Sequence, residues 1–250
     1  MRRLAPFALL LATPLVAQRF ERPFFRGGVG FAGGQYGFDS SQGGFDDRTD
    51  AGLFLAEFEG TSRYGYGGGF RFEREITRND DGLFRTNDPF DEGTEARNAT
   101  FFGHFTYRIA EHRFAMPIRI GLLFHSLTLE DTNNVDPDAT YSTLGPYFEI
   151  EPEFTMVRSR HFRWSLYGLF GAGVGGTAID IDGDARDYTS STGFLSVEAG
   201  TRMSFGPAEL GVAFVGRYRS MDDSEVEFGQ FVFGYDDDFQ GLLVTLGVRF

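Results

Sequence analysis

The sequence contains no cysteine and no lysine, so all 23 of its basic side chains are arginines. The absence of cysteine excludes a disulfide framework and thiol chemistry. Long apolar runs are missing too. The apolar stretch near the N-terminus has about 13 residues, whereas a transmembrane helix needs about 20. Nothing in the rest of the chain predicts a helical membrane span.

Positive charge is scarce relative to negative charge, since the formal net charge is −13. Proteins that bind nucleic acid neutralise phosphates with clustered lysines and arginines, and an acidic chain of this kind does not supply them. We therefore predict no nucleic-acid partner.

The N-terminus begins Met1-Arg2-Arg3 and continues with an apolar stretch that ends before Ala17. A charged start, a short apolar core and a small residue are typical of a secretory signal peptide. We predict a signal peptide at residues 1–17, a periplasmic lead-in at residues 18–25 and one domain at residues 26–250.

Glycine and phenylalanine are abundant, with 34 and 30 residues. Apolar residues recur with a period of two: Phe70 and Phe72 alternate with Arg71 and Glu73, which in a strand puts the two pairs on opposite faces. Ten segments share this pattern, at about residues 26–38, 50–59, 64–77, 98–109, 114–128, 141–157, 162–178, 192–205, 207–218 and 241–250.

The last segment ends on an aromatic residue after a regular apolar ridge, which consists of Leu242, Val244, Leu246, Val248 and Phe250. This ending resembles the terminal assembly signal of bacterial outer-membrane β-barrel proteins, a porin-like family. The resemblance implies an outer-membrane location, lipid around the wall and the barrel assembly machinery as a partner. We also expect a monomer.

The connections between the segments alternate in length. Those at residues 60–63, 110–113, 158–161 and 205–206 are short, and those at residues 39–49, 78–97, 130–140, 179–191 and 221–238 are long. Short periplasmic turns opposite long extracellular loops are typical of outer-membrane barrels. We predict an all-β, antiparallel, up-and-down transmembrane barrel of ten strands, with eight as the alternative.

Charged residues on the inward-facing parity predict a network that fills the lumen. Its members are Arg71, Glu73, Glu75, Arg108, Arg119, Glu149, Glu151, Glu153, Glu198, Arg202, Glu209, Arg217, Arg219 and Arg249. Paired charges of this kind favour a closed barrel with a structural or surface-interaction role. A small channel for ions or solutes is the alternative, and an outer-membrane enzyme is the third reading.

Two histidines in the predicted strands, His104 and His125, bear on whether the barrel holds a metal or a catalytic site. If residues 110–113 form the turn, His104 lies opposite Arg119 and His125 opposite Asn98, too far apart for one shared metal. A ten-strand count resembles the omptin proteases, but no Asp-x-His occurs in the chain, so no omptin residue is carried over and no catalytic residue is assigned.

The same turn geometry predicts that Arg202 faces Glu209 across the hairpin at residues 205–206. Three prolines conflict with the strand assignment, because each removes a ladder N–H group, namely Pro117, Pro146 and Pro152.

The long connections hold most of the acidic residues and few of the arginines. We predict no cofactor, apart from weak calcium binding at Asp180, Asp182 and Asp184, since Ca²⁺ takes several carboxylate oxygens. The alternative is a hydrated acidic fringe that binds nothing specifically.

Overall fold

The computed structural model describes residues 23–40, 46–77, 94–131, 138–182, 188–225, 231–232 and 234–250. The predicted signal peptide at residues 1–17 and most of the lead-in lie outside these ranges. Within them, no helix is long and apolar enough to cross a membrane.

The described residues form an all-β structure whose strands follow the predicted segments. The strands are β1 Phe24–Ser40, β2 Asp46–Thr61, β3 Tyr66–Thr77, β4 Thr94–Glu111, β5 Phe114–Asp131, β6 Ala139–Ile150, β7 Glu153–Arg158, β8 Phe162–Ile181, β9 Tyr188–Phe205, β10 Ala208–Met221, β11 Ser224–Glu225, β12 Phe231–Val232 and β13 Tyr235–Arg249.

The barrel closes through antiparallel pairing between chain neighbours and a final pair between β1 and β13. β6 and β7 are two halves of one wall strand, because both pair with β5 and β8, so the barrel has ten strands as predicted. β11 and β12 form a separate two-stranded sheet. The predicted loop at residues 221–238 is therefore partly wrong, since it contains this sheet and the start of β13.

The outer wall is apolar, which is the reverse of a soluble protein. Large apolar side chains point outward and stay exposed on every wall strand, including Phe31, Phe105, Ile120, Val174 and Phe214. The predicted terminal ridge belongs to this surface, since Leu242, Val244, Leu246, Val248 and Phe250 are all exposed. Such a belt is stable against hydrocarbon and not against water.

The three prolines lie where the ladder tolerates them. Pro152 falls in the break between β6 and β7, and its carbonyl accepts a hydrogen bond from Gly168 N at 3.0 Å. Pro117 accepts one from Glu151 N at 3.1 Å. At Pro146 the β6–β8 ladder is interrupted, because the pairs run Leu144↔Gly176 and then Tyr147↔Gly173.

Two predicted registers are wrong by two residues. The turn after β4 is only His112-Arg113, with φ 43° at His112, so His104 lies opposite Gly121 and His125 opposite Thr100. The turn after β9 is Gly206-Pro207, with φ 61° at Gly206, so the predicted pair separates: Arg202 lies opposite Gly211 and Glu209 opposite Ser204. Because both shifts are even, every side chain keeps its predicted face.

Candidate functional site

The lumen is filled by two layers of inward-facing side chains. One layer, toward the end with the short turns, is charged; the other, toward the end with the long connections, is mainly apolar. We refer to them below as the charged layer and the apolar layer. The alternation of connection lengths predicts that the short turns are periplasmic, and on that prediction we call the end with the charged layer the periplasmic end.

The charged layer is organised around three glutamates on one wall strand: Glu149 near the end of β6, Glu151 in the break between β6 and β7, and Glu153 at the start of β7. They alternate along the strand and are all buried. The central one, Glu151, has the most arginine partners. Its carboxylate accepts hydrogen bonds from three other strands: from Arg26 of β1 at 2.9 Å, from Arg119 of β5 at 2.9 Å and from Arg202 of β9.

Of the three glutamates, Glu149 is the nearest to the end with the long connections. It accepts hydrogen bonds from Arg71 Nη1 at 2.6 Å and from Arg119 Nη1 at 2.5 Å. Arg119 also donates through Nε to Glu59 at 2.5 Å. One guanidinium thus contacts three carboxylates on two other wall strands, which a planar fork with five donors can do and an ammonium cannot.

Glu153 is the nearest of the three glutamates to the end with the short turns, and it pairs with two arginines there. Its carboxylate accepts from Arg163 Nη2 at 2.8 Å and Arg249 Nη1 at 2.9 Å. Arg249 Nη1 also lies 3.3 Å from Glu209, whose other oxygen is 3.2 Å from Arg26. The network therefore continues from β7 through β13 and β10 to β1.

Two further arginines, Arg217 and Arg219 of β10, extend the network along the barrel toward the end with the long connections. Arg217 donates to both oxygens of Glu73, at 2.8 and 2.6 Å, and to Glu198 at 2.6 Å. Arg219 lies in the apolar layer and joins Glu75 and Asp237, each at 2.5 Å. Asp237 in turn accepts from the Tyr36 hydroxyl at 2.8 Å. These charges are buried but paired, which is the condition under which a low-dielectric lumen tolerates them.

The apolar layer was not predicted. Its core consists of buried side chains from most wall strands, among them Tyr36, Leu53, Leu55, Leu127, Val215, Phe239 and Leu243. The sequence carried a signal for it, since these residues share the inward parity with the charges. What the parity could not show is that they meet at one level across the barrel.

Packing in the lumen leaves little room. A cavity in the charged layer, lined by Arg71, Arg119 and Glu149, has a volume of about 10 Å³, enough for about one water molecule. Between the layers, a Cβ added to Gly171 would lie 2.0 Å from the Tyr147 hydroxyl, so the ring fills the space that the glycine leaves.

The structure brings the predicted network residues together, and most of them form ion pairs with one another. The Arg108 guanidinium stacks over the Phe24 ring at 3.9 Å. Sequence reasoning missed members that lie near strand ends or beside the predicted pairs, namely Arg26, Glu59, Arg163 and Asp237. Asp237 was missed because β13 begins earlier than predicted.

The two barrel histidines are held separately by hydroxyl groups. His104 Nδ1 is 3.0 Å from Thr106 Oγ1, and His125 Nδ1 is 2.9 Å from Thr100 Oγ1. The His125 ring also packs edge-on against Phe194, with centroids 5.4 Å apart. Among the described residues, no three histidine or carboxylate groups come together in a way that could hold a metal ion.

No protein-family model and no curated protein matches this sequence. Among solved structures, the chain is similar to the outer membrane protease OmpT from Escherichia coli, at a TM-score of 0.50 and 11% identity over 92% of this chain and 96% of that one. It is less similar to the translocator domain of the autotransporter NalP from Neisseria meningitidis, at a TM-score of 0.42 and 10% identity over 98% and 96% of the two chains.

The fold is that of an outer-membrane β-barrel. Together with the closed wall and its apolar exterior, this places the protein in the bacterial outer membrane. At such low identity the likeness to OmpT extends to the fold alone.

Of the predicted calcium ligands, Asp180 and Asp182 are exposed at the end of β8 and just beyond it, and Asp184 lies outside the described residues. Asp182 N donates to Asp138 O at 2.9 Å, which links the β6 and β8 ends through backbone groups. Calcium binding here stays a prediction.

Proposed function

We propose that this protein is a structural or surface-interaction barrel of the outer membrane with a closed lumen. The observation that carries the proposal is the filling of the lumen at two levels, first by the buried arginine and glutamate network and then by the apolar layer. A conducting pore needs a continuous hydrated path, and neither layer supplies one.

The charged layer supports a structural role because its ion pairs join distant wall strands. The ion pair of Arg26 with Glu151 joins β1 to the break between β6 and β7, and that of Arg71 with Glu149 joins β3 to β6 across the lumen. Contacts of this kind fix the cross-section of the barrel and oppose its flattening. The acidic long connections are the surface that such a scaffold would present to the exterior.

Conductance of the purified, refolded protein in a planar bilayer tests this proposal. We expect insertion without stable open channels at physiological salt. Long-lived openings of uniform size would contradict the closed lumen and favour the small-channel function. The proposal assigns no catalytic residue.

A further inference from the structure

The periplasmic end of the barrel contains a cavity of about 430 Å³ that the lumen network does not explain. Four arginines line it, Arg108, Arg113, Arg158 and Arg163, and the one carboxylate in its lining is Glu111. We call this cavity the arginine mouth. A concentration of cations is unexpected in a chain whose net charge is −13.

A β-bulge places one of these arginines at the mouth. In β7, Glu153 and Thr155 face inward and Phe154 faces lipid, so regular alternation would turn Arg158 toward lipid. The register between β7 and β8 shifts between Thr155 and Val157, and Arg158 then pairs with the inward-facing Arg163. Bulges commonly re-aim a side chain beside a functional site.

The resulting pair is unfavourable by itself. Arg158 and Arg163 lie directly opposite each other on adjacent strands, and like charges in that position destabilise a sheet. Arg163 is held in place by Glu153 at 2.8 Å and by Ser165 Oγ at 3.0 Å. Arg158 makes no ion pair with any residue that the structure describes.

The other side of the mouth has the same character. Arg113 is exposed in the tight turn after β4 and makes no ion pair within the described ranges, although its carbonyl accepts a hydrogen bond from Thr155 N at 2.7 Å. This bond ties the turn to β7, close to the bulge. Arg108 is oriented by its stacking on the Phe24 ring. Two arginines are thus positioned by partners, and two are available to a ligand.

We propose that the arginine mouth binds a phosphate group, supplied either by a phospholipid headgroup or by a soluble phosphate compound in the periplasm. Guanidinium forks match the geometry of phosphate oxygens and bind them bidentately. A multiply charged anion between Arg113, Arg158 and Arg163 also removes the repulsion that the bulge creates. This inference does not depend on whether the lumen conducts.

Calorimetric titration of the refolded protein with inorganic pyrophosphate, in a non-ionic detergent, tests the soluble source. We expect saturable binding that weakens about tenfold in Arg158→Gln and in Arg113→Gln, because each removes a charge-assisted hydrogen bond. Arg158→Lys keeps the positive charge but not the forked guanidinium, so its affinity for pyrophosphate should lie between those of the wild type and Arg158→Gln. Arg63→Gln is the matched control, an arginine at another short turn that bonds to Tyr64 and lies outside the cavity lining.

The lipid source is tested with nanodiscs of phosphatidylcholine with or without phosphatidylglycerol, by counting retained lipid in native mass spectrometry. Retention of phosphatidylglycerol that falls in both glutamine variants, without pyrophosphate binding, supports the headgroup form of the proposal. Pyrophosphate binding with the same dependence supports the soluble form. If neither probe binds saturably, or if Arg63→Gln weakens binding as much as Arg158→Gln, the proposal is wrong. Both test residues are exposed, and heat-modifiable gel migration confirms that each variant is folded.

Discussion

Arginine supplies every cation of the lumen, and its geometry explains why lysine would not serve. Arg119 reaches Glu59, Glu149 and Glu151, and Arg217 reaches both oxygens of Glu73 while also contacting Glu198. A lysine offers one ammonium and could not join three strands at these distances. The network is therefore a property of the fork as much as of the charge.

Glu151 is the residue whose loss should cost most. Glu151→Gln keeps the shape of the side chain but removes one carboxylate partner from Arg26 and from Arg119, and it removes the one carboxylate that pairs with the buried Arg202 among the described residues. Removing one partner of a buried pair costs about 3 to 5 kcal/mol, so we expect the free energy of unfolding to fall by that amount. Urea unfolding of the refolded barrel in lipid vesicles measures it.

The control for this prediction is Glu130→Gln. Glu130 pairs with Arg97 at 2.7 Å, but the side chains are 33% and 41% exposed. An exposed pair contributes about 0 to 1 kcal/mol. Equal losses in the two variants would show that burial of the network does not determine its contribution to stability.

Sequence parity predicted which residues face the lumen, and the structure shows what parity cannot supply. Leu53 and Leu55 share a face with Glu57 and Glu59 of the same strand, yet they belong to different layers. Their level in the barrel depends on register with strands far away in the chain. The alternation along one strand therefore predicts which face a residue lies on, but it does not predict which residues of other strands it meets across the lumen.

The elements themselves were largely predictable, because alternation of apolar residues marks each strand. Hairpin registers were not, since a turn one residue further along the chain moves every pair by two. The turns at His112-Arg113 and Gly206-Pro207 both have this effect. The break at Pro152 was visible in the sequence only as a conflict, and the structure resolves it by dividing the wall strand into β6 and β7.

The terminal strand leads to a prediction at this scale. Phe250 closes the seam between β13 and β1, because its N–H donates to Phe25 O at 2.9 Å and its carbonyl accepts from Phe25 N at 3.2 Å. Deleting Phe250 removes both bonds and the last aromatic of the ridge, so we expect a lower yield of assembled barrel in cells. The heat-modifiable fraction on a gel measures that yield.

Phe205→Ala provides the comparison, since Phe205 is also an exposed aromatic at the same end of the barrel but is the last residue of β9 and lies away from the seam. We expect near-normal assembly in this variant. If it assembles as poorly as the deletion, general loss of interfacial aromatics, and not the terminal signal, explains the defect.

At the scale of the whole molecule, the alternation of short and long connections predicts which end of the barrel faces the exterior. An epitope inserted between Thr77 and Thr94 should be reached by antibody or protease on intact cells. One inserted in the turn between Arg158 and Phe162 should be reached only after the outer membrane is permeabilised. The reverse accessibility would invert the orientation and place the arginine mouth outside the cell.

The closed lumen is tested most directly by opening its two layers separately and together in single-channel recordings. Arg217→Ser with Glu73→Ser thins the charged layer, and Tyr36→Ala with Phe239→Ala thins the apolar layer. Because each layer blocks the lumen independently, we expect the wild type and both double variants to remain closed. The combination of all four substitutions should conduct. Stable conductance in the wild type, or the same conductance from either double variant alone, would contradict closure by two layers.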